Sequence, residues 1–342
     1  DAGVINNRIT FTVDLYRMVT SDLLFEVGLP EYSGYSTQLA NIGEVENKGV
    51  ELLLGTRNLT GELKWFTDFN ISFNRNKILK LPNGDDVYYS VNPGHILTEN
   101  TNILREGQPV GMYWGFYYDG VYQEGDEFIP GGGFEQEPGG EKYRDIGGVD
   151  ADGNHQYVPD GTLNNNDKDI IGNPNPNFIF GFNNTLTYKG FELNIFFQGQ
   201  QGNDLYSWTI QELDRLGGNG NATIEALRRW TPTHTNTDVP KATVGRSYTP
   251  STRFLYDGSY LRLKNLSLGY NLPTSLLGRI GVRSLLVYVS GQNILTVSNY
   301  PGFDPEVNYR STGTTDSNRN LSVDYGSYPN AKTYTMGFKI GF

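Results

Sequence analysis

The feature that most constrains this chain is a two-residue alternation of apolar and polar side chains, repeated in segments of roughly ten residues, the period of half-buried strands. Glu62–Leu79 is the clearest case: Leu63, Trp65, Thr67, Phe69, Ile71 and Phe73 share one face, and Lys64, Asp68, Asn70, Ser72 and Asn74 share the other. The same pattern runs through Asn6–Val19, Gly49–Arg57, Asn177–Tyr188, Phe191–Phe197 and Thr333–Phe342. Ser259–Asn271 and Val282–Leu295 alternate but slip phase midway, as a β-bulge would cause. Eight strands are expected.

A soluble antiparallel sheet also alternates, so three further observations set the class. The apolar faces end in aromatics. Phe178 and Tyr188 bracket one strand, and its length of about 33 Å, tilted by ~45°, spans roughly the ~25 Å apolar band between the aromatic girdles of a membrane barrel. The opposite faces are rich in Asn, Thr, Gln, Asp and Gly, which suits a wet lumen. Short connections at 58–61, 189–190 and 272–281 alternate with long ones at 20–43, 80–176, 201–257 and 297–330. That is the rule of short periplasmic turns and long extracellular loops. The expected fold is all-β, a transmembrane antiparallel β-barrel crossing the outer membrane several times, its lipid-facing surface apolar and both chain ends periplasmic.

Composition narrows the alternatives. No stretch approaches the ~20 apolar residues of a membrane helix. With no cysteine there is neither a disulfide framework nor a Cys-based zinc site. A net charge of −11 argues against nucleic acid as a partner. The charge is concentrated: Asp119–Asp169 holds 13 acidic and 3 basic residues. The chain opens in a strand-like pattern at Asn7 without a charged, then apolar, leader. It is therefore expected to be a mature product or a fragment beginning mid-domain.

The long loops carry their own signals. Residues 204–216 and 222–230 read as short helices, the second with Asn221 as N-cap and Pro232 beyond its end. In the acidic loop, Asp150, Asp152 and Asn154 form one cluster, and Asp160 to Asp167 form another. The second places Asp, Gly, an aliphatic residue and a carboxylate at the fifth, sixth, eighth and twelfth positions of an EF-hand-like loop, but Gln156 and Val158 occupy its first and third. Calcium is the one ion this suggests; a series of Asx-turns is the other reading. His95, His155 and His234 have no metal-ligand spacing, and no nucleophile elbow or P-loop is present. No catalytic residue and no cofactor beyond that ion is expected. Tyr113, Trp114, Tyr117 and Tyr118 are candidate ligand contacts, since aromatic faces stack on sugar rings and on peptides alike, with packing inside the loop as the alternative.

A set of short motifs resembles the C-terminal third of SusC/RagA-type TonB-dependent transporters of Bacteroidota. They are Asn41–Glu51, Gly115–Tyr122, Asp169–Pro176, Tyr188–Leu193, Arg229–Pro232, Gly258–Asn265, Gly291–Ile294, Gly302–Glu306, Tyr328–Asn330 and Tyr334–Gly337. The chain departs from that pattern at Gly147–Pro159, which interrupts the Asp-rich loop. The resemblance implies a 22-stranded barrel whose last eight strands lie here, with the plug and TonB box absent from the chain. It implies a SusD-like surface lipoprotein and TonB as partners, and oligosaccharide or oligopeptide as cargo. Phe342 matches the terminal aromatic assembly signal of such barrels. The first strand is expected to pair with a neighbour outside the chain, and the last to close the wall against another. The competing readings are a passive porin or adhesin-like barrel, and a secreted glycan-binding sandwich.

Overall fold

The structure, a computed structural model, describes residues 1–28, 37–89, 100–131, 133–150, 155–218, 220–277, 282–308 and 321–341, with 25–28 and 37–40 described as backbone only. Asp152, Asn154, His95 and Phe342 lie outside the described residues.

Nine strands form one antiparallel meander, each paired with its neighbour in the chain. They are β1 (Ala2–Val4), β2 (Ile9–Gly28), β3 (Thr37–Thr60), β4 (Leu63–Lys80), β5 (Phe178–Tyr188), β6 (Phe191–Gln201), β7 (Tyr260–Asn271), β8 (Ser284–Ser298) and β9 (Thr333–Gly341). The eight expected strands are β2 to β9. The ninth, β1, covers β2 only along Ile9–Phe11, so from Thr12 upward that edge has no partner among the described residues.

The faces expected from the alternation fall into cross-strand register. Phe11, Leu54, Phe69, Phe182, Phe197, Leu263 and Leu295 form one apolar row across seven strands. Nearer the short turns, Leu63, Tyr188, Phe191, Tyr270, Val287 and Phe338 form a second, largely aromatic row. On the opposite face Thr185, Asn194, Ser267, Ser290 and Thr335 line up. There Asn194 donates to Asn183 at 2.8 Å and accepts from Asn265 at 3.2 Å. Asn184 is a polar residue on the apolar face, and its side-chain oxygen accepts from Trp65 (2.9 Å) and Thr67 (2.8 Å), so that acceptor is satisfied within the wall.

Close approach across the wall demands glycine at two positions. A Cβ on Gly199 would stand 2.6 Å from the Tyr260 backbone carbonyl oxygen, and one on Gly49 would collide with the Phe73 backbone carbonyl oxygen. The expected phase slips are bulges, between Leu263 and Asn265 on β7 and at Asn293 on β8, where φ is 52°.

Three loop assignments change. The connection expected at 20–43 is mostly a long ribbon, with β2 and β3 paired out to Gly28 and Thr37. Asp22, at φ 58°, bulges out of β2 and resets the register between Thr20 and Leu23; the broken alternation there concealed the strand. The helix expected at 204–216 is a strand, Asp204–Ser207, followed by a shorter helix, Trp208–Asp214, capped by the Ser207 side chain accepting from the Ile210 amide. That strand pairs with Leu255–Asp257 and, in parallel, with Val323–Asp324. At 222–230 there is only a 3₁₀ turn, Ile224–Arg228, capped by Thr223 rather than Asn221. Ile224 and Leu227 stay exposed, so no buried face extends it into a helix.

Inside the 81–177 connection, Val87–Tyr89, Asn102–Leu104, Met112–Gly115 and Asp169–Gly172 make a small four-stranded sheet, and Tyr118–Val121 pairs with Glu141–Tyr143. The main hydrophobic cluster is made by the loops: Tyr113, Ile171, Tyr206, Trp208, Phe254 and Val323 come from all three long connections above β4 to β9.

Candidate functional site: the cap over the rim

The three long connections therefore form one body, a cap, and a few polar joints seat it on the wall. The strongest is built on Arg262 of β7, only 1% exposed, which pairs with Asp304 and, at 2.8 Å, with Glu306. Lys264 adds 3.2 Å to Glu306. The Asn330 backbone amide donates to Asp304 at 2.9 Å and its side chain to Glu306 at 3.2 Å. Three of the recognised motifs, Gly258–Asn265, Gly302–Glu306 and Tyr328–Asn330, thus meet at one point. Burial opposes charge on Asp304, yet the backbone amides of Asn330 and Glu306, together with Arg262, hold its carboxyl below the ordinary 3.8.

A second joint links β4 to the four-stranded loop sheet. Asn76 donates to Asn175 at 2.7 Å and accepts from the Val110 amide at 2.7 Å, while Asn175 donates to the Val110 carbonyl at 3.0 Å. A third runs inside the cap. Arg246, buried, donates to Glu135 at 3.1 and 2.8 Å, and Arg253 reaches Glu141 at 2.9 Å. Arginines of the 202–259 connection thereby neutralise part of the acidic loop.

Several of the remaining acidic residues hold backbone. Asp167, fully buried, accepts from the amides of Ile146 (2.8 Å), Gly147 (2.7 Å) and Asn164 (2.7 Å). Asp145 accepts from the amides of Asp160 and Gly161 at 2.9 and 2.7 Å, and Asp160 from Thr162 at 2.9 Å. Asp150 accepts from the Gln156 side chain at 3.0 Å. Of the five residues considered for calcium, Asp150, Asp160 and Asp167 are described and each has a protein donor or an Asx-turn. Among the described residues no cluster of three or more carboxylate, His or Cys groups is arranged to hold a metal. The His155 ring lies 2.9 Å from the Asn166 carbonyl.

Of the four loop aromatics Tyr113 is buried, whereas Trp114, Tyr117 and Tyr118 are half-buried. Tyr113 is 1% exposed and its hydroxyl lies 2.9 and 2.7 Å from the carbonyls of Leu321 and Ser322; burial drives its pKa well up. A ring enclosed in this way offers no face to an external ligand, so Tyr113 is a packing residue. Tyr118 donates to the Asp238 carbonyl at 2.6 Å and lies beneath Arg253, with its pKa also raised by burial. Trp114 packs 5.2 Å from Tyr88 and under Arg105, and Tyr117 lies under Arg144 while donating to the Ile170 carbonyl at 3.0 Å. Tyr88, which sequence reasoning passed over, belongs with this pair and is 43% exposed. Its period-two neighbours fall among residues with no wall-like alternation, so nothing in the sequence marked it.

An open antiparallel wall, apolar on one face and polar on the other, with a structured cap on its long-loop side, is the architecture of part of an outer-membrane β-barrel. The comparisons agree. No protein-family model matches the chain. It is 47% identical over its whole length to TonB-dependent receptor P3 of Formosa agariphila, of which it covers 33%. It is 28% identical, again over its whole length, to TonB-dependent receptor SusC of Bacteroides thetaiotaomicron, of which it covers 31%. The RagAB peptide transporter structure superposes with a TM-score of 0.77 at 29% identity, covering 99% of this chain and 34% of that one. The chain belongs to the SusC/RagA type of TonB-dependent receptor, a family of outer-membrane proteins, and spans about a third of the length of these relatives.

Proposed function

We propose that this chain supplies part of the membrane-crossing wall and the extracellular cap of a TonB-dependent importer for oligosaccharides or oligopeptides. In this reading the cap meets a SusD-like lipoprotein, and Trp114, Tyr117 and Tyr88 contribute to the upper wall of the cargo chamber. The observation that supports it best is the fusion of three long connections through one buried core, seated on the rim by Arg262. Loops so constrained can hold a surface in fixed geometry against a lid and a cargo. The name of the RagAB transporter points to peptide for that protein; half-exposed aromatic rings suit sugar and peptide alike. The cap works by binding and positioning.

The test is uptake by cells expressing the full-length receptor with Trp114→Ala and Tyr117→Ala together. Cargo accumulation is expected to fall at least tenfold at an unchanged level of receptor in the membrane, and to stop when the proton-motive force is collapsed. Uptake indifferent to that collapse would make the barrel a passive pore.

A further inference from the structure

The apolar face of the wall is not smooth. Across β6 to β9 it carries a depression of about 540 Å³, within the ~300–1,000 Å³ range of small-molecule sites. Leu193, Leu268, Val289 and Met336 form its lower row and lie directly opposite one another along the sheet. In the row above, Leu266 and Tyr334 flank Gly291, where no side chain stands. Ile294 and Tyr334 lean over the glycine instead and line the depression there: a Cβ at Gly291 would come within 2.8 Å of Ile294 and 3.3 Å of Tyr334. Ile294 reaches that position because Asn293, at φ 52°, bulges β8 and donates to the Ala331 carbonyl at 3.0 Å.

The lower row sits two residues above the row of Phe191, Tyr270, Val287 and Phe338 on each strand. Two residues of tilted strand amount to about 5 Å of depth. The short turns mark the periplasmic side, so the depression opens to the acyl region of the periplasmic leaflet. We propose that it seats one acyl chain of a glycerophospholipid from that leaflet, retained on the barrel rather than exchanged with bulk lipid. The depression is continuous with the apolar band that faces the bilayer. A chain lying in it touches four strands, and dispersion contacts accumulate with each. The proposal rests on the reading that this wall crosses the outer membrane.

Native mass spectrometry of the full-length receptor in mild detergent, titrated with palmitoyl-oleoyl-phosphatidylethanolamine, tests it. One lipid is expected to survive activation. Val289→Trp, which fills the depression, should lower lipid occupancy at least tenfold, whereas Val297→Trp, on the same face outside it, should leave occupancy unchanged. Equal losses in the two variants, or no retained lipid on the unmodified receptor, would overturn the proposal. So would a change in the ratio of monomer to dimer confined to Val289→Trp, which would assign the depression to a second barrel. Fractionation of the receptor as a soluble protein would remove the membrane reading itself, a result separable from all of these.

Discussion

The wall and the cap solve opposite problems with the same chain. In the wall large apolar side chains remain exposed even on strands paired on both sides, Leu268 at 45% and Val289 at 48%, and order comes from the backbone ladder. In the cap nearly the reverse holds: Trp208, Leu205 and Tyr113 are almost fully enclosed, while the regular structure is short. A sheet that faces lipid needs every backbone group paired but gains nothing by burying its side chains from hydrocarbon. A cap that faces water must build its own core from residues that only tertiary structure brings together.

If the division is real, the joint between the two regions should be the costliest place to damage. Arg262→Ala leaves Asp304 without its cation in a buried site, and breaking such a pair costs about 3–5 kcal/mol. The expected result is protease nicking between residues 299 and 332 with the wall still folded, read by mass mapping after brief digestion. Loss of the whole barrel instead would show that the joint organises the wall as well. Trp208→Ala comes next, at about 3–5 kcal/mol spread over a core that can partly collapse. It should lower the thermal transition of the cap and leave the amide-I signature of the barrel strands in place.

Acid should act on the same joint in a graded way. The Asp304 carboxyl is held below its ordinary 3.8 by the Asn330 and Glu306 amides and Arg262. A depressed carboxyl contributes its full stability above the unfolded value and loses it as pH falls through the lower, folded one. Nicking of the last loop should therefore be flat down to about pH 4 and rise below it. Asp304→Asn should remove that dependence, and a rise that persists in the variant would transfer it to another carboxyl.

The same division explains what the sequence discloses. Lipid on one side and water on the other impose a strict two-residue period, so β4, β5, β6 and β9 are readable from residues such as Trp65, Phe182 and Met336 alone. Where a single residue bulges, at Asp22, the period breaks and the outer half of the β2–β3 ribbon reads as loop. The cap has no such external ruler. Tyr113 meets Ser322 across 209 residues of chain, and no local pattern encodes that contact. For this reason the aromatic run 113–118 could be found but not divided into enclosed Tyr113 and half-exposed Trp114. Arg262, Asp304 and Glu306 each stood in a recognisable motif, yet only the fold shows that the motifs are complementary.

The smallest expected effect probes the comparison from the wall side. Leu15 lies opposite Val50 on the apolar face, on the strand whose outer edge has no paired strand among the described residues beyond Phe11. Truncating a leucine in a water-facing protein core costs about 2–5 kcal/mol, because a packed cavity is left behind. At a lipid-facing position the solvent is itself hydrocarbon and fills the space, so Leu15→Ala should cost less than about 1 kcal/mol, with membrane insertion and the unfolding transition in lipid vesicles unchanged. The opposite substitution sharpens the assignment: Leu15→Arg should be costly, by about 2–4 kcal/mol if the residue lies at the bilayer midplane and by less toward either interface. A large cost for Leu15→Ala would mean that protein rather than lipid covers this part of the wall. The boundary between the two regions would then have to be redrawn below it.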